Sequence, residues 1–188
     1  MKPVQFTSLT FCLFLFISCS QGYEKQTANN VGIVEDTQQM QLKESIQSSP
    51  AAVPVVTSNV QPREIVNFAK TLVGVPYQYG STDPAVGFDC SGFITHVFKH
   101  FNIRVPRSSV DFTNVGTEVE TTDAVAGDLI LFTGTDSTST VVGHMGIVTE
   151  NTDSLRFIHS TSGRAYGVTV TALNKNYLRR FVKVIRIF

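Results

Sequence analysis

The spacing of apolar and polar positions divides the chain into three stretches. Near the N-terminus lies a short apolar run, Phe11-Cys12-Leu13-Phe14-Leu15-Phe16-Ile17. It is far shorter than the roughly 20 apolar residues of a membrane-spanning helix. Residues 20–61 are rich in Gln, Ser, Thr and Asn, with Tyr23 their only aromatic residue and poor apolar periodicity. Ser48-Ser49-Pro50 and Val53-Pro54 break any helix there, although a short helix around 38–46 is compatible with the pattern. Such a composition buries too little apolar surface to offset the entropy of ordering, so a disordered tether of about 35 Å average reach is expected. From residue 62 onward the pattern becomes regular.

Pro62 suits the first turn of a helix, and Ile65, Phe68, Ala69 and Leu72 then form one stripe, predicting a helix over 62–73 that Gly74 ends. A second helix is expected from Cys90 to Phe101. Phe93, Ile94, Val97, Phe98 and Phe101 share one face, and Thr95, His96 and Lys99 take the other. Ser108-Ser109-Val110-Asp111 has the form of a capping box opening a short third helix, stopped by Gly116. Beyond it the period shortens to that of strands. Asp128–Phe132 reads as a buried strand, His144–Glu150 with Leu155–Ser160 as a hairpin, and Gly167–Leu173 and Phe181–Phe188 as further strands. Helices first and strands after predict an α+β domain over residues 62–188, large enough for its own core.

Composition then narrows the possibilities. Lys+Arg and Asp+Glu are equal at 15 each, which gives no footprint for nucleic acid. The apolar run at 11–17 has the length of a signal-peptide core and stops at Ser18-Cys19. A small residue followed by Cys resembles a bacterial lipobox, with Phe16 an atypical residue in it. The resemblance implies cleavage before Cys19, lipid on Cys19, and residues 1–18 as the signal. The expected location is the bacterial envelope, anchored by lipid to a membrane and most simply facing the periplasm. The three cysteines then form no pair: Cys12 leaves with the signal, Cys19 carries lipid, and Cys90 stands alone. An unpaired Cys in an exported domain points to reactivity.

Cys90 lies in Gly87-Phe88-Asp89-Cys90-Ser91-Gly92-Phe93. A thiol at a helix start faces backbone N–H groups that stabilise its anion. His144, in Val142-Gly143-His144-Met145-Gly146-Ile147-Val148, is the candidate base, with flanking glycines leaving room around its ring. His159, in Phe157-Ile158-His159-Ser160, fits the group that orients the base. A two-residue loop at Asn151-Thr152 sets His144 opposite His159. A four-residue loop keeps both on one face, and an odd loop separates them. Zinc binding by Cys90, His144 and His159 is disfavoured because no close ligand pair is present, so no metal or other cofactor is expected. His96 and His100, on the helix of Cys90, read as structural.

These motifs, with Gly74-Val75-Pro76-Tyr77-Gln78-Tyr79-Gly80, Val105-Pro106-Arg107-Ser108 and Ala126-Gly127-Asp128-Leu129-Ile130-Leu131-Phe132, resemble those of the NlpC family of papain-like bacterial cell-wall peptidases. The resemblance covers nearly all of residues 62–188. It implies a papain-like fold, Cys90 as nucleophile, His144 as base, His159 as orienting residue, and Tyr77 beside the developing oxyanion. It implies cleavage of peptidoglycan stem peptides, commonly between γ-D-glutamate and the following diamino acid. Asp89 and Ser91 flank the thiol and are read either as contacts to a substrate amine or as helix caps. Arg107 is read as a wall-peptide contact or a surface cation, and Asp128 as structural. Ser81 stands where the family motif usually has a second Gly, and 82–86 can enlarge the adjoining loop. Two other uses of the same residues are an idle wall-binding lipoprotein and a Cys-His amidase or acyltransferase. A regulatory protein partner would suit a wall hydrolase, but no residue pattern identifies one.

Overall fold

The computed structural model describes residues 54–136 and 138–188. The expected signal, Cys19 and the tether as far as residue 53 lie outside the described residues. Val55 and Val60 pack against the main core, so packing starts a few residues before the boundary expected at 62.

Helix α1 (Pro62–Thr71) has Pro at its start, and the Gln61 N–H donates to Glu64 Oε2 at 2.8 Å. Two short paired strands, β1 (Thr82–Asp83) and β2 (Gly87–Phe88), lead into helix α2 (Cys90–His100). Residues 109–114 form a 3₁₀ helix, and Ser108 makes no side-chain cap. The expected capping box is therefore not formed. The run of Val110, Asp111, Thr113 and Asn114, all weak helix formers, does not extend into an α-helix; Gly116 with φ of +65° turns the chain away.

Strands β3 (Thr117–Val119), β4 (Leu129–Thr133), β5 (Val142–Asn151), β6 (Leu155–Thr161), β7 (Gly167–Ala172) and β8 (Phe181–Arg186) form one antiparallel sheet in the order β3-β8-β4-β5-β6-β7. Helix α3 (Lys175–Leu178) is a single turn between β7 and β8. β4 is central and buried at every position. Leu129 and Leu131 join the helix-side core with Phe93, Ile94, Val97 and Phe98 of α2. Ile130 and Phe132 face the other way, with Val148, Phe157 and Val184. Burial on both faces explains why β4 reads as an unbroken apolar run. Asp128 enters this strand as a buried carboxylate that accepts from Arg186 Nε at 2.9 Å and Nη2 at 2.8 Å and from the Val125 N–H, in keeping with its structural reading.

The β5–β6 ladder positions the site. Three residues, 152–154, separate the two strands, an odd number that alone would turn the histidines to opposite faces. A register shift between Val148 and Glu150 adds one residue to β5 and restores the parity. His144 and His159 therefore lie on the same side, diagonally rather than directly opposite. Regular pairing runs only from Asn151 to Ile147 opposite Ile158. Past it the start of α2 touches both strands: Ser160 Oγ of β6 donates to Phe88 O at 2.7 Å, and Cys90 Sγ lies 3.8 Å from Gly143 O of β5.

Candidate active site

Asp89 fixes the start of α2. Its carboxylate accepts from the Gly92 N–H at 2.5 Å and the Gly80 N–H at 2.8 Å, and it pairs with Arg107 through Nη1 at 3.1 Å and Nη2 at 2.8 Å. Ser91 Oγ accepts from the same guanidinium at 2.9 Å. Both residues are buried. The geometry thus gives Asp89 and Ser91 capping and bracing partners within the protein, and turns Arg107 inward onto them. Gly92 is required by this clamp, because a Cβ there would meet Ser81 O at 2.0 Å. Ser81, the departure from the usual motif, therefore supplies the carbonyl that presses on the helix.

Cys90 is a free thiol at the first position of α2, half-buried and lining an open cleft. Burial pushes the thiol up from its usual range, the Asp89 carboxylate adds to this, and the backbone N–H groups of Ser91, Cys90 and Met145 pull it back. The sulfur is thus set among backbone groups on both sides of His144. The imidazoles form a chain: His144 Nε2 is 2.9 Å from His159 Nδ1, and His159 Nε2 is 2.9 Å from Thr171 Oγ1. His144 Nε2 is occupied, so Nδ1 is the ring nitrogen left for the thiol. When His144 is protonated, its Nε2–H donates to His159 Nδ1, and His159 donates onward to Thr171. Burial holds His144 down to about 4, helped by the Arg180 charge. Burial, His144 and Arg180 hold His159 down to about 2. His159 therefore stays neutral and serves as a fixed acceptor.

The glycines around His144 do not clear space for its own ring, as the sequence suggested. A Cβ on Gly143 would meet Gly134, and one on Gly146 would meet Phe157 and His159. They let a loop and the second imidazole come close. Tyr77 borders both halves of the cleft with Cys90 and leans on Tyr166, ring centres 5.9 Å apart. Burial and the nearby Cys90 and Asp89 charges raise its phenol, which keeps the hydroxyl a donor. His96 and His100 pack on Phe88 and Phe68 outside the cleft. Among the described residues no group of three His, Cys, Asp or Glu could hold a metal ion.

Sequence reasoning missed Thr171, Tyr177 and Arg180. Tyr177 lies 6.2 Å from the His144 ring and 5.5 Å from the His159 ring, and Arg180 stacks on Tyr177. No periodicity marks a single-turn helix. The β6–β7 register, with Phe157 opposite Thr171, would have placed Thr171 on the histidine face had it been known.

The NlpC/P60 family model matches residues 74–186, the segment that carries this whole arrangement. The chain belongs to the NlpC/P60 family. A gamma-DL-glutamyl hydrolase of Bacillus subtilis is 37% identical over 112 residues, covering 60% of this chain and 26% of the relative. A gamma-D-glutamyl-L-lysine dipeptidyl-peptidase of the same organism is 36% identical over 81 residues, covering 43% of this chain and 27% of the relative. The chain thus spans about a quarter of the length of either protein. The crystal structure of an NlpC/P60 family protein from Bacillus cereus is similar with a TM-score of 0.60 and 29% identity, over 70% of this chain and 41% of that one. The NlpC/P60 domain is papain-like, and its helices and antiparallel sheet agree with the α+β expectation.

Proposed function

We propose that this NlpC/P60 protein is a cysteine endopeptidase of peptidoglycan, cutting the stem peptide between γ-D-glutamate and the following diamino acid. The observation that carries this reading is the contact of the α2 start with both β5 and β6. It puts the Cys90 thiol against the carbonyl of Gly143, the residue before His144, in an open cleft that both Cys90 and His144 line. The relatives named for glutamyl-peptide hydrolysis supply the substrate class.

In this mechanism His144 Nδ1 takes the Cys90 proton as the sulfur attacks the γ-carbonyl carbon. The C–S bond forms and the carbonyl electron pair moves to oxygen, where the Cys90 N–H and the Tyr77 hydroxyl are the donors. The C–N bond then breaks, and the proton on His144 passes to the leaving amine. Water, deprotonated by His144, attacks the acyl carbon. The C–S bond breaks, and the thiol is restored with the proton from His144. His159 and Thr171 hold the ring throughout.

Lipid on Cys19 would tether this chemistry to an envelope membrane, facing the periplasm. The support is the Phe11–Ile17 run ending at Ser18-Cys19. Metabolic labelling with a radioactive fatty acid is expected to mark the wild-type chain and not Cys19→Ala; equal labelling of both would refute the anchor.

Mass spectrometry of products from a defined stem peptide tests the reaction. The expected products are an acid ending in γ-D-glutamate and a free diamino-acid amine. Intact peptide, a cut on the sugar side of L-alanine, or transfer of the acyl group to an added amine would instead favour one of the other uses of the site.

The depressed His144 also fixes a pH dependence. The rate needs a neutral imidazole, so kcat/KM is expected to hold as pH falls through 6.5 and to decline only towards about 4. An acid limb centred at or above 6.5 would contradict the buried, neutral base. Stability has the same sign. An unfolded histidine titrates near 6.5, so below that pH the unfolded chain binds more protons than the folded one. Folding free energy is therefore fully present above about 6.5 and is lost as pH drops towards the folded values.

A further inference from the structure

The cleft has two halves that meet at Tyr77, Cys90 and Gly143. One continues along Gly80, Asp89, Ser91 and Arg107, where acid and guanidinium neutralise each other at 2.8 Å. The other, about 560 Å³, continues past His144 and Thr161 to Tyr177 and Arg180. His144 borders only this second half. The proton that His144 carries ends on the departing amine, so the leaving amino component occupies the His144 half and the acyl component the other. This assignment rests on the peptidase reading above.

Among the described residues, Arg180 is the only Lys, Arg, Asp or Glu bordering the leaving-group half. Its Nη1 donates to Gly134 O at 2.8 Å, and its Cζ sits 5.0 Å from the Tyr177 ring centre. Both contacts hold the fork in place without neutralising it. Among the described residues no carboxylate lies within 4.0 Å of it, although Arg107, Arg156, Lys183 and Arg186 each have one. Asp136, on the neighbouring loop, instead accepts from the N–H and hydroxyl of Thr138. A half-buried guanidinium held by a carbonyl and an aromatic face, beside a space that borders no acid, is suited to a carboxylate from outside.

We propose that Arg180 binds a carboxylate on the leaving amino component and thereby selects stem peptides whose diamino acid presents an acid group. Two carboxylates have this chemistry. One ends the side chain of a diamino acid such as diaminopimelate, which is lysine with a carboxylate on its terminal carbon. The other is the main-chain carboxylate of a stem that stops at the diamino acid.

Four γ-D-glutamyl peptides separate them: diaminopimelate or lysine, each with its main-chain carboxyl free or amidated. Binding to full-length Cys90→Ala is measured by calorimetry, and kcat/KM is measured with the wild type. The free-acid diaminopimelate peptide, which carries both carboxylates, is expected to bind at least 10-fold tighter than the amidated lysine peptide. Adding Arg180→Gln should erase the difference, and Arg180→Lys should keep part of it. Preference for the amidated diaminopimelate peptide assigns the side-chain carboxylate; preference for the free-acid lysine peptide assigns the main-chain one. Equal binding of all four peptides overturns the proposal without any Arg180 variant. A preference that survives Arg180→Gln in a folded protein overturns it too. If the wild type cuts none of the four while the Arg180-dependent preference holds, the hydrolase reading falls and the carboxylate site stands.

Discussion

Replacing Cys90 by Ala is expected to lower kcat/KM on a stem peptide by at least about 10⁴-fold, a loss of roughly 5.5 kcal/mol of transition-state stabilisation. No other thiol lies among the described residues. The fold should survive, because the only hydrogen bond of the sulfur is the 3.8 Å contact with Gly143 O. A change in unfolding free energy within about 1 kcal/mol is expected, since a lone, half-exposed sulfur contributes little packing. Peptide affinity should stay within a few-fold of wild type. Cys90→Ser should be nearly as inactive, since a serine hydroxyl is far harder to deprotonate than a thiol. Activity within 10-fold of wild type in a folded Cys90→Ala protein would remove the thiol from the reaction.

Asp89→Ala carries the largest expected effect on stability. The substitution removes the cap on Gly92, the bond to Gly80 and both bonds to Arg107. Breaking a fully buried ion pair costs about 3–5 kcal/mol and losing a cap about 1 kcal/mol. The Arg107 side chain is 42% exposed, so water offsets part of the first loss, and a total of about 2–4 kcal/mol is expected. Asp89→Asn keeps an acceptor for the cap and loses the charge, and should fall between. Chemical denaturation of wild type and both variants measures this. Activity should fall with stability, because the same carboxylate holds the thiol at the helix start. An Asp89→Ala protein as stable as wild type but unable to bind peptide would instead assign Asp89 as a substrate contact.

The elements that position Cys90 were legible because they depend on local pattern. The stripe Phe93, Ile94, Val97 and Phe98 and the Asp89 cap mark α2, and the unbroken run 129–132 marks the central strand. The meeting of His144 and His159 was legible in its outcome and wrong in its cause. Loop length alone implied opposite faces for the odd loop that is present, and a one-residue bulge near Thr149 reversed the parity. The bulge is a shift of backbone register between Val148 and Glu150, and apolar periodicity does not record backbone pairing. Ser108 has the residues of a helix start, yet the segment tightens into a 3₁₀ turn. Its only buried residue is Phe112, too little for the apolar face that sustains an α-helix. Thr171, Tyr177 and Arg180 reach the site through sheet register and a single helical turn, contacts that are long-range in sequence and carried by no motif.

The most direct test of the central claim is the mass of the intact protein after the reaction with a stem peptide is quenched rapidly in acid. Attack by the sulfur predicts a transient adduct equal to the acyl half of the peptide, mapped by digestion to Cys90 and absent from Cys90→Ala. Turnover with no adduct at any quench time, or an adduct on another residue, would contradict it.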